Sequence, residues 1–144
     1  MLGVIVALVS GALMSIQGVF NTGVTKQTSV WVASSFVQLT ALIVCIIAWF
    51  ITGRESSFSA LFQIQDKYML VGGALGAFIT YTVIQSMSSL GPAKAVMLIV
   101  TAQLVVAYII ELFGMFGSEK VPFQWRKVIG LVLIIAGIIT FKWE

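Results

Sequence analysis

Long uncharged and mostly apolar stretches follow one another along the chain. Residues 1–25, 27–53 and 68–93 contain no charged side chain, and residues 95–110 are also free of charge. A helix rises about 1.5 Å per residue, so roughly 20 apolar residues cross the hydrocarbon layer of a bilayer. The pattern therefore predicts an all-α integral membrane protein, with the lipid bilayer as a partner.

Five membrane spans are predicted, and together they form a single transmembrane domain over residues 1–144. Polar or glycine-containing turns separate the spans. They cover about residues 2–20, 30–52, 67–88, 93–113 and 126–142.

The fifth span is the shortest, because only residues 128–141 lie between the charges that flank it. A helix of this length spans a bilayer if the flanking basic residues snorkel to the headgroups and Trp125 and Trp143 anchor it at the two interfaces. Five spans are therefore predicted, and four spans with an interfacial helix are the alternative.

The longest loop, residues 53–66, follows the second span. Phe58, Leu61 and Phe62 recur in this loop at helical spacing. The spacing indicates a short helix that lies in the membrane interface.

Composition narrows the classes of function. With 60% hydrophobic and only 9% charged residues, the chain cannot build the polar surface of a soluble protein. It has no histidine and one cysteine, Cys45, so we expect no disulfide, no metal site and no cofactor. The same absences argue against an enzyme. The net charge of +3 is spread over the predicted membrane boundaries, which gives no basis for nucleic-acid binding.

The basic residues give a weak orientation signal. If the amino terminus lies on side A, that side carries five basic residues and side B carries three. The residues on side A are Arg54, Lys67, Lys120, Arg126 and Lys127, and those on side B are Lys26, Lys94 and Lys142. By the positive-inside rule this small difference places the amino terminus inside. Two hypotheses stay open: one weakly specified topology, or insertion in both orientations followed by pairing with an inverted copy.

Small residues recur at regular steps on three of the predicted spans. The glycines in these patterns are Gly3 and Gly11, Gly72 and Gly76, and Gly130 and Gly137. A face of small residues lets a second helix backbone approach closely. These faces indicate helix packing, either within the chain or between the subunits of a dimer.

Polar side chains inside the spans are the candidate binding residues, because each costs free energy in a bilayer unless it finds a partner. The candidates for a substrate cavity are Gln17, Asn21, Trp31, Gln38, Tyr81 and Gln103. The carboxamides would hydrogen-bond a substrate, and Trp31 and Tyr81 would stack on it. By the helical rise, Gln38 and Gln103 lie about 12 to 15 Å from the side-B boundary, close to the midplane. The alternative is that these two glutamines bond each other and hold helices together.

Glu111 is the acidic residue of the predicted spans, and it lies close to the end of the fourth span. It either reaches the headgroups on side A, or binds a proton or cation and so couples ion movement to transport. Lys94 lies roughly 25 Å away along the same helix. It could therefore pair with Glu111 only across the subunits of an inverted dimer.

Several motifs resemble those of the drug/metabolite transporter superfamily. The run Gly130-Leu-Val-Leu-Ile-Ile-Ala-Gly137 is similar to the last helix of its repeats. A more specific resemblance is to the YdcZ-like family. It rests on Ala102-Gln103 through Glu111-Leu-Phe-Gly114-Met-Phe-Gly117, on Gln17-xxx-Asn21 and on Gly72-Gly73-xx-Gly76. The order of these motifs extends the resemblance over essentially the whole chain.

This resemblance implies a five-helix half-transporter, a single repeat of drug/metabolite transporter type, in a bacterial plasma membrane. Members of the family occur as single chains with little orientation bias, as pairs of opposite orientation and as fused copies. The weak charge bias of this chain therefore favours an antiparallel homodimer. The family more often has aspartate at the position of Glu111. The related small multidrug-resistance transporters keep a glutamate in the first span, where this chain offers only Gln17, so their proton-coupled drug export is not implied.

The leading hypothesis is transport of a small polar or amphipathic metabolite by alternating access between two inverted subunits. A small dual-topology ion channel lined by the same polar residues is a second hypothesis. A membrane assembly subunit that does not transport is a third. The patterns identify neither the substrate nor the coupling ion.

Overall fold

The computed structural model describes residues 1–54 and 56–142, and this part of the chain is helical without strands. The α-helices are α1 (Leu2–Thr25), α2 (Val30–Ile51), α3 (Gly72–Leu90), α4 (Pro92–Phe113) and α5 (Trp125–Lys142). Short 3₁₀ helices occupy Phe58–Gln63, Lys67–Val71 and Met115–Gly117. The chain divides into two compact units, an amino-terminal unit of Met1–Ser89 and a carboxy-terminal unit that begins at Leu90.

Four helical segments in the described residues are long and apolar enough to cross a membrane. They are Leu2–Thr25, Val30–Ile51, Lys67–Leu90 and Pro92–Phe113. The all-α membrane class predicted from the sequence is thereby confirmed. α5 forms where the fifth span was predicted, but it does not qualify by the same criterion of length and composition, because basic residues lie at both of its ends. A fifth span therefore stays a prediction, and its proposed anchor Trp143 lies outside the described residues.

The first predicted span ends too early. α1 does not stop at residue 20 but continues to Thr25. Thr22 donates its hydroxyl to the Gly18 carbonyl at 2.8 Å, and Thr25 donates to the Thr22 carbonyl at 2.8 Å. Because these hydroxyls find acceptors on their own helix, they are accommodated within it and need no loop.

The amino-terminal unit has its small core at one end, where α1 ends, α2 begins and α3 ends. Its buried residues are Gly18 and Asn21 of α1, Ala33 and Ser34 of α2, and Ile84 and Met87 of α3. Side chains of α3 lie directly against α1 at Gly18. A Cβ added at Gly18 would lie 2.5 Å from Cε and 2.6 Å from Sδ of Met87. The Met87 side chain therefore occupies the space that a larger residue at position 18 would fill.

The glycines predicted to form packing faces have more room. A Cβ at Gly76 would lie 3.2 Å from Nε2 of Gln38. At the other five predicted positions, an added Cβ meets no side chain or distant backbone within 4 Å: Gly3, Gly11, Gly72, Gly130 and Gly137. Within the described residues, no helix therefore packs closely against these five glycines. Their predicted role in contacts between subunits stays a prediction.

Aromatic side chains hold the loop that follows α2. Trp49 donates from Nε1 to the Ser56 carbonyl at 2.9 Å, and its ring centroid lies 4.9 Å from that of Phe58. The Arg54 guanidinium lies 4.5 Å from the ring centroid of Phe50. The short helix predicted from the spacing of Phe58 forms as the 3₁₀ helix Phe58–Gln63. Its position in the membrane interface stays a prediction.

The Gly18 contact predicts that a leucine substitution destabilises the protein more at Gly18 than at Gly23. Gly18→Leu should destabilise the protein by about 1 to 3 kcal/mol, because the new side chain overpacks the contact with Met87. Gly23→Leu is the matched control, since nothing lies within 4 Å of a Cβ there. Thermal unfolding of both purified variants in detergent measures the difference. Equal melting temperatures for the two variants would show that the contact does not constrain α1.

Candidate functional site

Aromatic and polar side chains of α2 and α3 meet along one line in the amino-terminal unit. We call this line the α2–α3 seam, and it comprises Trp31, Ser34 and Gln38 of α2 and Gly76 and Tyr81 of α3. The rings of Trp31 and Tyr81 stack with centroids 4.8 Å apart and an interplanar angle of 24°. The structure thus brings together the two aromatic residues that the sequence analysis proposed to stack on a substrate.

Gln85 extends the polar character of the seam. Its Nε2 donates to the Tyr81 hydroxyl at 3.4 Å, one helical turn along α3. Trp31 is 57% exposed, so one face of the aromatic stack is open in the single chain. An open aromatic face beside a carboxamide can both stack on a planar or apolar group and hydrogen-bond it.

Gln38 packs against the backbone of α3. Its Nε2 occupies the space beside Gly76 that a larger residue would fill. Two turns of α2 separate Gln38 from Trp31, which places both on the same helix face. The contact brings Gln38 to the seam, and it is compatible both with helix packing and with substrate binding.

Ser34 is the most unusual residue of the seam. It is buried, with a relative exposure of 3%, and its hydroxyl has no hydrogen-bond partner among the described residues. A serine in a helix commonly bonds the carbonyl four residues earlier. A buried polar group without a partner costs about 1 to 3 kcal/mol. The sequence analysis did not name this residue as a candidate.

Gln17 and Asn21 belong to a different place, a groove between α1 and α2 of about 520 Å³. Asn21 is buried there and Gln17 is exposed. The residues of α2 that line this groove are Ala33, Phe36, Val37, Thr40, Ala41, Val44 and Cys45, and Trp31, Ser34 and Gln38 are not among them. The amino-terminal unit therefore distributes the predicted cavity residues over a groove and a seam.

The carboxy-terminal unit contains the remaining two candidates, Gln103 and Glu111. Gln103 is exposed on α4. Glu111 forms an ion pair within its own chain: Nζ of Lys127 lies 2.8 Å from its Oε2. The Lys127 ammonium also lies 5.3 Å from the ring centroid of Tyr108.

The sequence analysis missed Lys127 as the partner of Glu111. It considered Lys94, which lies on the same helix, and did not consider the next helix. A short connection makes consecutive helices antiparallel neighbours, so the end of α4 and the start of α5 come level. Glu111 lies near the end of α4, and Lys127 lies near the start of α5.

A left-handed glycine starts the turn that brings these ends together. α4 ends at Gly114, whose φ of 64° and ψ of 40° suit glycine, and its N–H donates to the Ile110 carbonyl. A Cβ at Gly114 would also lie 3.2 Å from Cβ of Lys120. The backbone conformation and the space both favour glycine here.

Two further hydrogen bonds hold the loop against α4. The Val121 N–H donates to the Glu111 carbonyl at 2.9 Å, and the Gln124 N–H donates to the Tyr108 hydroxyl at 3.2 Å. The first occupies a carbonyl that the helix end would otherwise leave unpaired. The second fixes the orientation of the aromatic ring beside Lys127.

The ion pair lies at one end of an α4–α5 groove of about 300 Å³. Its lining is apolar apart from the charged pair and the tyrosine: Leu104, Ala107, Tyr108, Glu111, Lys127, Gly130, Leu131 and Ile134. The side chains of Lys127 and Glu111 remain 37% and 47% exposed, so the groove is open to further contacts. In the described residues, no group of three or more His, Cys, Asp or Glu side chains is placed to hold a metal ion.

The long apolar helices are those of an integral membrane protein. A family model described as "Putative inner membrane exporter, YdcZ" matches residues 2–140. The chain belongs to this YdcZ family of the drug/metabolite transporter type, which confirms the resemblance seen in the sequence. Membership assigns it to membrane transport in general and to the inner membrane, and the family is one of transporters rather than enzymes. No curated protein and no solved structure matches the chain.

The unpaired hydroxyl of Ser34 predicts a stabilising substitution. Ser34→Ala should raise the free energy of unfolding by about 1 kcal/mol, because it removes a buried polar group that has no partner. Ser35→Ala is the control, since Ser35 is exposed on the same helix and should change stability by less than about 0.5 kcal/mol. Denaturant unfolding in detergent micelles measures both. A loss of stability in Ser34→Ala would mean that the hydroxyl is paired in the protein.

Proposed function

We propose that the chain transports a small polar or amphipathic metabolite by alternating access, as a homodimer of two oppositely oriented subunits with five spans each. The observation that carries the proposal is the α2–α3 seam. It places a stacked aromatic pair, a carboxamide and an unpaired hydroxyl together inside segments long enough to cross a bilayer. Polar groups at this depth are costly, so their retention supports a binding role.

The depth of Gln38 within α2 suits a transport site. Gln38 lies eight residues into α2, which corresponds to about 12 Å by the helical rise. Transporter sites commonly lie near the bilayer midplane, where both sides can be reached by small rearrangements. In this site Trp31 and Tyr81 would stack on the substrate while Ser34 and Gln38 hydrogen-bond it.

The open faces of the chain support a second subunit. Trp31 presents one side of its ring outward, and five glycines of the predicted packing faces have free space around them. A partner helix could cover these faces at short distance. The weak charge bias between the two sides of the membrane supports an inverted partner.

The remaining predicted residues have secondary roles in this proposal. Gln17 and Asn21 would bind substrate from the α1–α2 groove, and Gln103 would do so from α4. Glu111 would couple an ion to transport. A proton or cation that binds its carboxylate must compete with Lys127, which already lies 2.8 Å away.

Substitution of the two midplane glutamines separates binding from helix packing. In a metabolite screen by thermal shift, a ligand that binds the folded protein raises its melting temperature. For such a ligand, Gln38→Ala and Gln103→Ala should each weaken binding by about 1 to 3 kcal/mol, because a substrate group loses its hydrogen-bond partner. Isothermal titration with the purified variants measures this.

Gln27→Ala, in the loop between α1 and α2, is the control and should bind normally. If the glutamines only hold helices together, both variants will melt at lower temperature and bind with unchanged affinity. That result would remove both residues from the site.

A further inference from the structure

The α4–α5 groove is charged at one end and apolar further along. Glu111 and Lys127 form its charged end. Leu104 lies seven residues before Glu111 on α4, and Ile134 lies seven residues after Lys127 on α5. Because the helices are neighbours with level ends, both apolar residues lie about 10 Å from the ion pair by the helical rise. The groove is therefore amphipathic along its length.

The ion pair has unused bonding capacity. The lysine ammonium has three N–H donors, and one of them serves Oε2 of Glu111. Within the described part of the chain, Oε1 of Glu111 accepts no hydrogen bond. The Tyr108 ring, oriented by its bond to the Gln124 N–H, adds an aromatic face at the same end.

The two opposite charges of Glu111 and Lys127 determine which charges a ligand of the groove should carry. Because the pair is neutral overall, an anion attracted by Lys127 is repelled by Glu111, and a cation attracted by Glu111 is repelled by Lys127. A molecule that carries both an ammonium and an anionic group satisfies both residues. Its ammonium would bind Glu111 beside the Tyr108 ring, its anionic group would bind Lys127, and one ion pair would become two.

The volume of the groove matches a small ligand. A volume of about 300 Å³ is at the small end of ligand sites in proteins. Gly130 leaves the apolar part open, since nothing lies within 4 Å of a Cβ there. The space inside the groove suits a charged head with a short apolar body.

We propose that the α4–α5 groove binds a free zwitterionic amphiphile, a small molecule with an ammonium and an anionic group next to a short apolar body. The site belongs to the carboxy-terminal unit and is distinct from the α2–α3 seam. Its test measures binding alone. Failure of this proposal would therefore leave the transport proposal and its glutamine test unaffected.

Three probes with one apolar body test the charge requirement. L-leucine carries both charges, its methyl ester carries only the ammonium, and N-acetyl-L-leucine carries only the carboxylate. The full-length protein in non-ionic detergent should bind leucine at least tenfold more tightly than either derivative, as measured by isothermal titration.

Single-charge variants should change which probe binds best. Glu111→Gln leaves Lys127 alone and should shift the preference to N-acetyl-L-leucine. Lys127→Gln leaves Glu111 alone and should shift it to the methyl ester. Glu119→Gln and Lys120→Gln change charges in the adjoining loop outside the groove, and they should keep the preference for leucine. A merely structural ion pair would lower the melting temperature of both groove variants without reversing their charge preference.

Three results would overturn the proposal. The first is no leucine binding up to about 10 mM, a weak limit on the scale of small-ligand affinities. The second is leucine binding that neither groove variant alters. The third is binding of phosphatidylethanolamine in mixed micelles without binding of free leucine, which would assign the groove to a lipid headgroup.

Discussion

The absence of water in the hydrocarbon layer constrains every other feature of this protein. Each backbone N–H and carbonyl must be paired within the chain, which leaves helices as the available structure for separate spans. Side-chain polar groups face the same constraint, and several meet it locally. Thr40 donates to the Phe36 carbonyl at 3.0 Å, and Thr80 donates to the Gly76 carbonyl at 2.9 Å. These hydroxyls need no partner outside their own helix and therefore indicate no function.

The polar groups that do not meet this constraint locally identify the two candidate sites. Ser34 is buried without a partner beside the stacked rings of Trp31 and Tyr81. Glu111 and Lys127 pair with each other but remain partly exposed at the end of a groove. The first site is neutral and aromatic, and the second is charged. An amphipathic metabolite has both an apolar and a polar part, so a transporter of such molecules needs binding surfaces of both kinds.

The sequence predicted the helices well because bilayer thickness imposes their length. It did not predict the end of α1, because a threonine that bonds its own helix looks like a loop residue in a one-dimensional pattern. Trp31 and Tyr81 could be named from the sequence as candidates within the predicted spans, and in the structure their rings stack on each other. The pairing of Glu111 with Lys127 depends on two helix ends coming level, which spacing along one helix does not reveal. Periodicity similarly identified faces of small residues, but the glycine in tightest contact, Gly18, was not among those singled out. Its contact depends on Met87 of another helix, which the sequence of α1 does not reveal.

The central claim is that two inverted copies form the functional unit, and cross-linking between opposite ends tests it most directly. Gln27 and Ser56 lie beyond the two ends of α2, whose 22 residues separate them by roughly 33 Å. Two differently tagged chains would be co-expressed in a Cys45→Ser background, one with Gln27→Cys and the other with Ser56→Cys. A short bismaleimide, which cannot span α2, should cross-link the two differently tagged chains in membranes. In an inverted pair, position 27 of one subunit lies on the same side of the membrane as position 56 of its partner. Links only between identical positions would show that the subunits are parallel and would contradict the account.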